Sequence, residues 1–375
     1  MSTFWLIVFT VSVFWMVYTY VGYPCVLLLK KWWRQHDRHV VTPAPVSEDM
    51  LPEVAVIIVA RNAAHQIALK IRSCLDSNYP ADRIRVILAI DGPDEATASA
   101  AESLQDPRVT ILRNAQHRGK AACVNDAVAL CTQPILVMCD ARQRIDGNAI
   151  RYLVESLLNS PERTAISGEL QFEVPEGNFV GLGLDAYWRY EKWLRRTESE
   201  VSSTIGMTGA LYAMRRSAFR PIPSETILDD VLIPMQMILD GHRTGFDSRA
   251  IAFDLPSVSM QQERRRKIRT LAGNFQLLQL CPALLNPFRN RAFFGFFSHK
   301  VCRLLTPVAL LCILLSSIAL ASSSLFFALS LAGCLTVICC SLLAHVFPST
   351  HRWLPIRLSN TCIEMHMFVV LGFIG

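Results

Sequence analysis

Apolar and polar positions divide this chain into two kinds of segment. Residues 4–29 contain no Asp, Glu, Lys, Arg or His, and residues 304–344 contain none either. A membrane-spanning helix needs about 20 apolar residues. The first segment therefore predicts one tilted span, and the second predicts two spans joined by a turn at Ser322, Ser323 and Ser324. A last apolar run, residues 361–375, is short for a full span and favours a re-entrant or marginal helix.

Between these segments the pattern alternates between strand and helix. Runs typical of strands that are buried on both faces occur at residues 54–59, 84–90, 109–112 and 134–139. Helical spacing separates them, at residues 66–75, 96–104 and 120–130. The alternation predicts a mainly parallel sheet with right-handed crossovers, that is, an α/β, Rossmann-like domain joined to transmembrane and interfacial α-helices.

Three of the predicted strands run into a polar side chain. Asn62, Asp91 and Asp140 fall at or just beyond strand ends. Ligands of such sheets bind outside the carboxyl ends of the strands, so we expect a binding site there. The alternative for Asp91 is a turn residue before Gly92, and the alternative for Asp140 is a purely structural acid.

The charge distribution favours a membrane partner over nucleic acid. The net charge is +6 and the pI about 8.7, below the value above 9 expected of a nucleic-acid-binding domain. Basic residues cluster beside the apolar segments, as at Lys30, Lys31 and Arg34, where membrane lipids with anionic headgroups attract them. By the positive-inside rule, we expect a multi-pass protein of the cell membrane with a cytoplasmic polar domain.

Cysteine usage and the spans exclude other classes. The 12 cysteines include no C-x-x-C pair, which argues against a zinc site or a disulfide framework. A transporter would place charges inside its spans, and these spans contain none. The predicted domains are an anchor at 1–30, a catalytic-type domain at 52–273, interfacial helices at 274–300 and a transmembrane region at 301–375.

Four segments together carry a family resemblance: VAVIIVARN at 54–62, VILAIDG at 86–92, ILVMCDARQ at 135–143 and LDDVLIP at 228–234. Residues 53–273 resemble the inverting glycosyltransferases of family 2, which have the GT-A fold and include cellulose, chitin and hyaluronan synthases. The resemblance implies transfer of a sugar from a UDP-sugar to a growing glycan or a lipid-linked acceptor, with a β-linkage, in exopolysaccharide or capsule synthesis.

The resemblance assigns the donor residues. It implies that Asp91 binds the base, that Asn62 lies nearby, and that Lys120, in a Gly-Lys element, lies close to the diphosphate. Lys120 could instead be a solvated lysine that opens a helix. Arg269 matches the arginine of a Q-x-x-R-W motif and would bind the leaving diphosphate, or else it belongs to a juxtamembrane basic cluster.

Asp140 resembles the first acid of a D-x-D motif, which implies that it binds Mg²⁺ or Mn²⁺ together with the diphosphate. The second acid of the motif is replaced by Arg142. Two interpretations stay open. Either Arg142 points away and leaves the metal to Asp140, or its guanidinium binds phosphate itself and weakens the metal dependence.

The resemblance places the acceptor chemistry on Asp230. Asp229-Asp230 matches the family's Thr-Glu-Asp segment, in which the last acid is the general base; a helix cap is the compatible alternative. Gly209 matches a small-residue loop that approaches the acceptor. Trp188 either stacks on the acceptor sugar or packs in the core or at the membrane interface.

Two questions of function stay open on the sequence. Thr270 stands where the family's motif has Trp, which leaves open whether the enzyme is processive or makes single additions to a lipid carrier. The broken D-x-D motif also allows a catalytically inactive, sugar-nucleotide-binding subunit of a synthase complex. The number of spans is small, so a homo-oligomer or a complex partner is a further expectation.

Overall fold

The computed structural model describes residues 2–35, 45–173, 182–255 and 260–374. It divides into two compact units. The first comprises Met1–Leu29, Ser259–Gln276 and Phe294–Gly375, and the second comprises Lys30–Val258 and Leu277–Phe293. The domain limits expected from the sequence stay a prediction.

The second unit is built on an eight-stranded mixed sheet with the strand order β3-β2-β1-β4-β7-β6-β8-β5. Its strands are β1 Val54–Ala60, β2 Ile84–Ile90, β3 Val109–Arg113, β4 Ile135–Asp140, β5 Arg144–Ile145, β6 Arg163–Phe172, β7 Leu211–Arg215 and β8 Arg243–Asp254. The first four strands begin and end within one residue of their predicted limits. The α/β fold predicted from the alternation is thus confirmed.

The parallel half of the sheet brings the predicted polar positions to one edge. β1 pairs in parallel with β2 on one side and with β4 on the other, with Ala60 opposite Ile90 and Val59 opposite Asp140. Asn62 and Asp91 follow directly after the paired ends of β1 and β2. The carboxyl ends of three neighbouring strands therefore meet where the sequence predicted a site.

The other half of the sheet is not apparent in the sequence pattern. β7 pairs antiparallel with both β4 and β6, and β6 pairs in parallel with β8. Because β7 lies antiparallel beside β4, residues just before it reach the carboxyl end of β4. This arrangement brings the loop with Gly209 to the same edge as Asp140.

The helices of the second unit lie on both faces of this sheet. They are α3 Ile67–Leu75, α4 Glu95–Glu102, α5 Lys120–Ala129, α6 Ala149–Leu158, α7 Leu182–Val201 and α8 Asp229–Leu239. One continuous hydrophobic core packs α3 and α6 against one face of the sheet, through Ile71, Leu153, Val56 and Val137 among others. That core fixes the strands whose ends carry the polar residues.

The first unit consists of apolar helices together with the start of a longer helix. They are α1 Ser2–Val17, a π-helical turn Tyr18–Gly22, α2 Tyr23–Gln35, α9 Met260–Leu280, α10 Phe293–Phe296, α11 Cys302–Leu304, α12 Thr306–Leu320, α13 Leu325–Val346 and α14 Leu354–Ile374. Helices α2 and α9 also extend into the second unit.

Among the described residues, two helical segments are long and apolar enough to cross a membrane, Ser2–Trp33 and Leu325–Val346. Phe293–Leu304 and Thr306–Leu320 meet this criterion only together, and they are bent by 54°. The last helix begins at Leu354, seven residues before the predicted 361. Arg357 interrupts its apolar pattern before residue 361 without breaking the helix, which is why the sequence predicted only its end.

Candidate active site

Lys120 lies between two carboxylates at the carboxyl edge of the sheet. It opens α5, and its Nζ atom lies 2.8 Å from Asp140 Oδ1 and 3.1 Å from Asp229 Oδ2. Asp140 ends β4 and Asp229 opens α8, so the ammonium group joins the end of a strand to the start of a helix. Lys120, Asp140, Asp229 and Asp230 are called the acid cluster below.

The first turn of α8 holds two of these acids. Carboxylates are stabilised there, because the peptide dipoles give a helix N-terminus a partial positive charge. Asp229 is only 6% exposed, and Asp230 is half-buried. The backbone oxygen of Asp230 accepts a hydrogen bond from the N–H of Met207 at 2.8 Å. The start of the helix is thus fixed beside the loop that carries Gly209.

Gly209 leaves space between two carboxylates. A Cβ atom built on this glycine would lie 3.1 Å from Asp230 Oδ2 and 3.6 Å from Asp140 Oδ2. The predicted acceptor glycine, the predicted base and the predicted metal ligand therefore line one narrow space. The absence of a side chain at Gly209 keeps this space open.

The three acids of the cluster keep the side chain of Lys120 protonated. Burial alone would lower the pKa of this ammonium, but Asp140, Asp229 and Asp230 outweigh the effect of burial and raise the pKa well above its usual value. Lys120 is therefore a permanent cation in the site. Its side chain is 39% exposed, so it can also be reached by a ligand.

Asp91 is held by three contacts from one loop. Its Oδ1 accepts from the backbone N–H groups of Arg118 and Gly119 at 2.8 and 3.2 Å, and its Oδ2 lies 2.6 Å from His117 Nδ1. Burial would raise the pKa of this carboxyl group, which is 5% exposed, but the donors outweigh burial and lower the pKa below its ordinary value. Asp91 therefore stays ionised.

His117 links Asp91 to Arg61. Arg61 Nη1 lies 2.7 Å from His117 Nε2. Because a guanidinium group can only donate, Nε2 must accept, and the proton of the neutral ring resides on Nδ1, where it is donated to Asp91. Gly92 permits this approach: its φ is +96°, and a Cβ there would lie 3.4 Å from the backbone nitrogen of His117.

Asn62 adopts a left-handed backbone conformation, with φ +52°. Its backbone N–H donates to Asp94 Oδ2 at 2.6 Å, and Asp94 also caps α4 by accepting from the backbone N–H of Thr97. The side chain of Asn62 is exposed. Asn62 is thus held by its backbone, at the same edge as Asp91, with its amide turned toward solvent.

Arg142 is paired within the protein. Its guanidinium group donates to Asp254, which ends β8 and is 3% exposed. Gln143 Nε2 donates to the same Asp254 oxygen at 2.9 Å. Of the two interpretations of Arg142, this pairing favours the one in which the guanidinium points away from phosphate.

Three residues near the site were not predicted from the sequence. Arg195 Nη1 donates to Thr208 Oγ1 at 2.6 Å, which places a cation beside the Gly209 loop. His117 lies three residues before Lys120, and no sequence pattern assigns its ring a role. Tyr212 lies on β7 below the acid cluster, and only the antiparallel register of β7 against β4 could have indicated it.

Two predicted residues lie apart from the geometry described above. Trp188 belongs to α7, but its side chain lies outside the described residues. Arg269 is exposed on α9, in the first unit. The roles of both stay predictions. Within the described residues, no group of three or more His, Cys, Asp or Glu side chains is arranged to hold a metal ion by itself.

Comparison with known families identifies the class. Residues 55–222 match the family model for glycosyl transferase family 2. The match confirms, over this part of the chain, the resemblance drawn from the motifs. The matched residues include Asn62, Asp91, Lys120, Asp140 and Gly209, while Asp230 lies beyond them.

Curated relatives narrow the comparison. The poly-β-1,6-N-acetyl-D-glucosamine synthase of Staphylococcus aureus strain COL is 18% identical over 237 residues, which are 62% of this chain and 57% of the relative. The synthase of the same name from Staphylococcus epidermidis is 18% identical over 229 residues, or 60% and 55% of the two chains. The match thus spans little more than half the length of these relatives.

A solved structure shares the fold. A mannosyltransferase from Pyrobaculum calidifontis, determined in complex with GDP-Man and Mn²⁺, superposes with a TM-score of 0.69 at 20% sequence identity. The similarity covers 98% of both chains. The predicted GT-A fold is therefore confirmed.

Proposed function

We propose that this chain is a membrane-bound, inverting glycosyltransferase that moves a sugar from a UDP-sugar to a glycan or a lipid-linked acceptor. The observation that carries the proposal is the acid cluster, in which Lys120, Asp140 and Asp229-Asp230 converge beside Gly209. A cation and several acids at one strand edge suit a substrate that combines a diphosphate with a reacting hydroxyl group.

In the proposed reaction Asp230 is the general base. It takes the proton of an acceptor hydroxyl group, whose oxygen then bonds to the anomeric carbon of the donor. The bond from that carbon to the diphosphate breaks on the opposite side, and the nucleoside diphosphate leaves. Because attack and departure are on opposite faces, an α-linked donor gives a β-linked product.

The negative charge of the leaving diphosphate needs cations. Lys120 is the one we assign to it, because its ammonium group is permanently charged and partly exposed. Arg269 is proposed as a second. Asp91, which is ionised and follows β2, would accept a hydrogen bond from the uracil of the donor. Asn62 would contact the donor nearby. Gly209 and Trp188 are proposed for the acceptor.

The residues present fit a divalent cation bound with the donor. Asp140 Oδ2 and Asp230 Oδ2 both face the space that a Cβ at Gly209 would narrow, and Mg²⁺ and Mn²⁺ prefer such oxygen ligands. Asp140 would hold the ion, with the diphosphate supplying further oxygens. The ion would neutralise charge that develops on the leaving group.

We propose that the enzyme resides in the cell membrane as a multi-pass protein with its catalytic domain on the cytoplasmic side. Support comes from the two apolar helices and from the basic residues Lys30, Lys31 and Arg34 at the end of the first. Reporter fusions at residue 375 and within the 45–173 segment would test the topology. A reporter active only in the periplasm should stay inactive when inserted in that segment.

One experiment tests donor, metal and product together. Membranes containing the chain are incubated with radiolabelled UDP-glucose, UDP-N-acetylglucosamine, UDP-galactose or GDP-mannose, each with Mg²⁺, Mn²⁺ or EDTA, and the product is sized. Transfer from a UDP-sugar that stops in EDTA and in Asp140→Ala supports the proposal. Transfer from GDP-mannose alone would overturn the donor, and transfer unaffected by both treatments would overturn the metal assignment.

The same experiment separates an enzyme from an inactive subunit. Nucleotide binding without transfer from any donor would indicate a sugar-nucleotide-binding subunit of a synthase complex. Product length decides between a processive enzyme, which gives long chains, and an enzyme that adds single sugars.

A further inference from the structure

Tyr212 faces the same side of the sheet as Asp140. It lies on β7 opposite Met138 of β4, and Met138 is two residues before Asp140. Side chains two apart on a strand share a face. Its neighbours Leu211 and Ala213 face the hydrophobic core on the other side. The phenol ring thus lies beneath the acid cluster.

The hydroxyl group of Tyr212 is buried without a partner. The residue is 1% exposed, and its hydroxyl oxygen makes no hydrogen bond to any residue that the structure describes. Buried polar atoms are nearly always hydrogen-bonded, and an exception calls for an explanation. Because this one lies in a site shaped for a charged substrate, a second state of the site can explain it.

The surroundings make this hydroxyl group a donor. Burial raises the pKa of Tyr212 well above its usual value, and Asp229, Asp230 and Asp140 raise it further, against the opposing effect of Lys120. The O–H group therefore keeps its proton at any working pH. Around it lie carboxylates, which accept hydrogen bonds, and among these Asp229 acts on it most strongly.

Asp229 is paired with Lys120, which in the proposed function also binds the diphosphate. Its side chain is 9% exposed, and its Oδ2 is held by Lys120 at 3.1 Å. If Lys120 turns to an incoming diphosphate, as the proposed function requires, this buried carboxylate loses that contact. An ionised carboxylate that is buried and unpaired is strongly disfavoured, so donor binding needs a replacement for the ammonium group.

We propose that Tyr212 is a positioning residue that receives Asp229 from Lys120: when the diphosphate of the donor draws the ammonium group away, the hydroxyl group of Tyr212 donates to the Asp229 carboxylate. This inference rests on the proposed function, since it requires a nucleoside diphosphate in the site. The exchange keeps a hydrogen-bond donor on the Asp229 carboxylate and the first turn of α8 in place, and with it the base Asp230.

The test is Tyr212→Phe, which removes only the oxygen atom. The full chain is purified in detergent, and its thermal unfolding is measured without ligand. Binding of UDP and of GDP, each with Mn²⁺, is then measured by calorimetry. Without ligand, the variant should melt at the same temperature as the parent protein or higher, because an unpaired buried polar group is removed. The affinity for the nucleotide that binds should fall about tenfold.

Tyr79→Phe is the matched control. Tyr79 is 6% exposed, and its hydroxyl group donates to the backbone oxygen of Pro52 at 2.5 Å, away from the acid cluster. This variant should melt at a lower temperature, because a satisfied hydrogen bond is lost, while its nucleotide affinity stays that of the parent. The two tyrosines should therefore respond in opposite ways.

A double-mutant cycle with Asp229→Asn identifies the partner. The effects of Tyr212→Phe and Asp229→Asn on nucleotide affinity should be non-additive, whereas their effects on ligand-free melting should add. Additive effects on affinity, or a Tyr212→Phe protein that melts markedly lower without ligand, would overturn the proposal.

Failure of the proposed function would look different. The parent protein would then bind neither UDP nor GDP, whatever the tyrosine variants did. That outcome would also remove the ligand on which the exchange depends, so it would overturn the role of Tyr212. Binding by the parent with unchanged affinity in Tyr212→Phe would overturn the tyrosine alone.

Discussion

The acids at one edge of the sheet are held in two different ways. Asp91 receives hydrogen bonds on both oxygens from residues 117–119 of a single loop. Asp140 and Asp229 instead share one ammonium group, which is itself needed by the substrate in the proposed reaction. The contacts that hold Asp91 are therefore already formed before any ligand binds. The acid cluster, in contrast, must exchange partners when the donor binds. A rigid contact suits recognition, and an exchangeable one suits a charge that appears during the reaction.

The largest effect is expected for Asp230→Asn, which changes a residue of the acid cluster. Removal of a general base costs about 10²–10⁴-fold in turnover, while nucleotide binding should stay nearly intact. Radiolabel transfer and calorimetry measure the two. Asp240→Asn, at the other end of α8 and paired with Arg220 at 2.8 Å, is the control and should keep its turnover. Substantial transfer by the Asp230 variant would remove it as the base.

Lys120→Met should have the next largest effect, because it leaves the acid cluster without its ammonium group. The loss of a charge-assisted contact to the diphosphate should weaken UDP binding about 10- to 100-fold. Lys120→Arg, which keeps the charge, should recover part of the affinity. Calorimetric UDP affinity of the Met variant equal to that of the parent would show that Lys120 does not contact the diphosphate.

Gly209→Ala tests whether the narrow space between the carboxylates matters. The new methyl group would lie 3.1 Å from Asp230 Oδ2 and would displace it. A misplacement of about 1 Å can lower turnover by about 10²-fold, so the smaller displacement expected here should lower it by about tenfold. Gly147→Ala is the matched control, because a Cβ there meets no atom within 4 Å. Equal turnover in the two variants would mean that the reacting groups are not confined beside Gly209.

The smallest effect is expected for Asp91→Asn, where the loop of residues 117–119 already supplies the contacts. The folded-state pKa of Asp91 is lowered, so its ionised form stabilises the fold above the unfolded-state pKa of about 3.9, and this stabilisation is lost as the pH falls through the folded-state value. At pH 7 the variant should lose about 1–2 kcal/mol of unfolding free energy.

The difference between parent and Asp91→Asn should begin to shrink as the pH falls below the unfolded-state pKa of about 3.9. It should disappear once the pH is below the lowered folded-state pKa of Asp91, where both proteins carry a neutral side chain. Urea unfolding at several pH values measures it. Asp82→Asn is the control, because that side chain is 81% exposed. A difference that stays constant down to pH 2 would show that the charge of Asp91 is not what stabilises the loop.

The sequence predicted the residues of the site better than it predicted their partners. Asp140 and Asp91 follow apolar strands, and parallel strands bring their carboxyl ends together, so the convergence could be read from local pattern. The ion pairs of Lys120 with Asp229 and of Arg142 with Asp254 join residues more than 100 positions apart. Such pairs depend on the antiparallel strand β7 and on the long strand β8, whose placement no local periodicity specifies.

Tyr212 is a second case in which the sequence does not reveal a contact of the site. Its pattern Leu-Tyr-Ala-Met-Arg is that of an ordinary strand, and nothing in these letters marks one side chain as lying beneath three acids. Only the register opposite Met138 does so. The sequence thus indicates which residues carry the chemistry. Which residues pack beneath them can be seen only in the folded structure.

The pairing of Arg142 with Asp254 also restricts the evolutionary paths open to the chain. Mutation of Arg142 to the second aspartate of the D-x-D motif would leave Asp254, whose side chain is 1% exposed, without its cation and beside another acid. A single buried charge stripped of its partner destabilises a protein by about 3–5 kcal/mol. Restoring the motif at position 142 would therefore require a change at Asp254 as well, because the single variant would fold poorly.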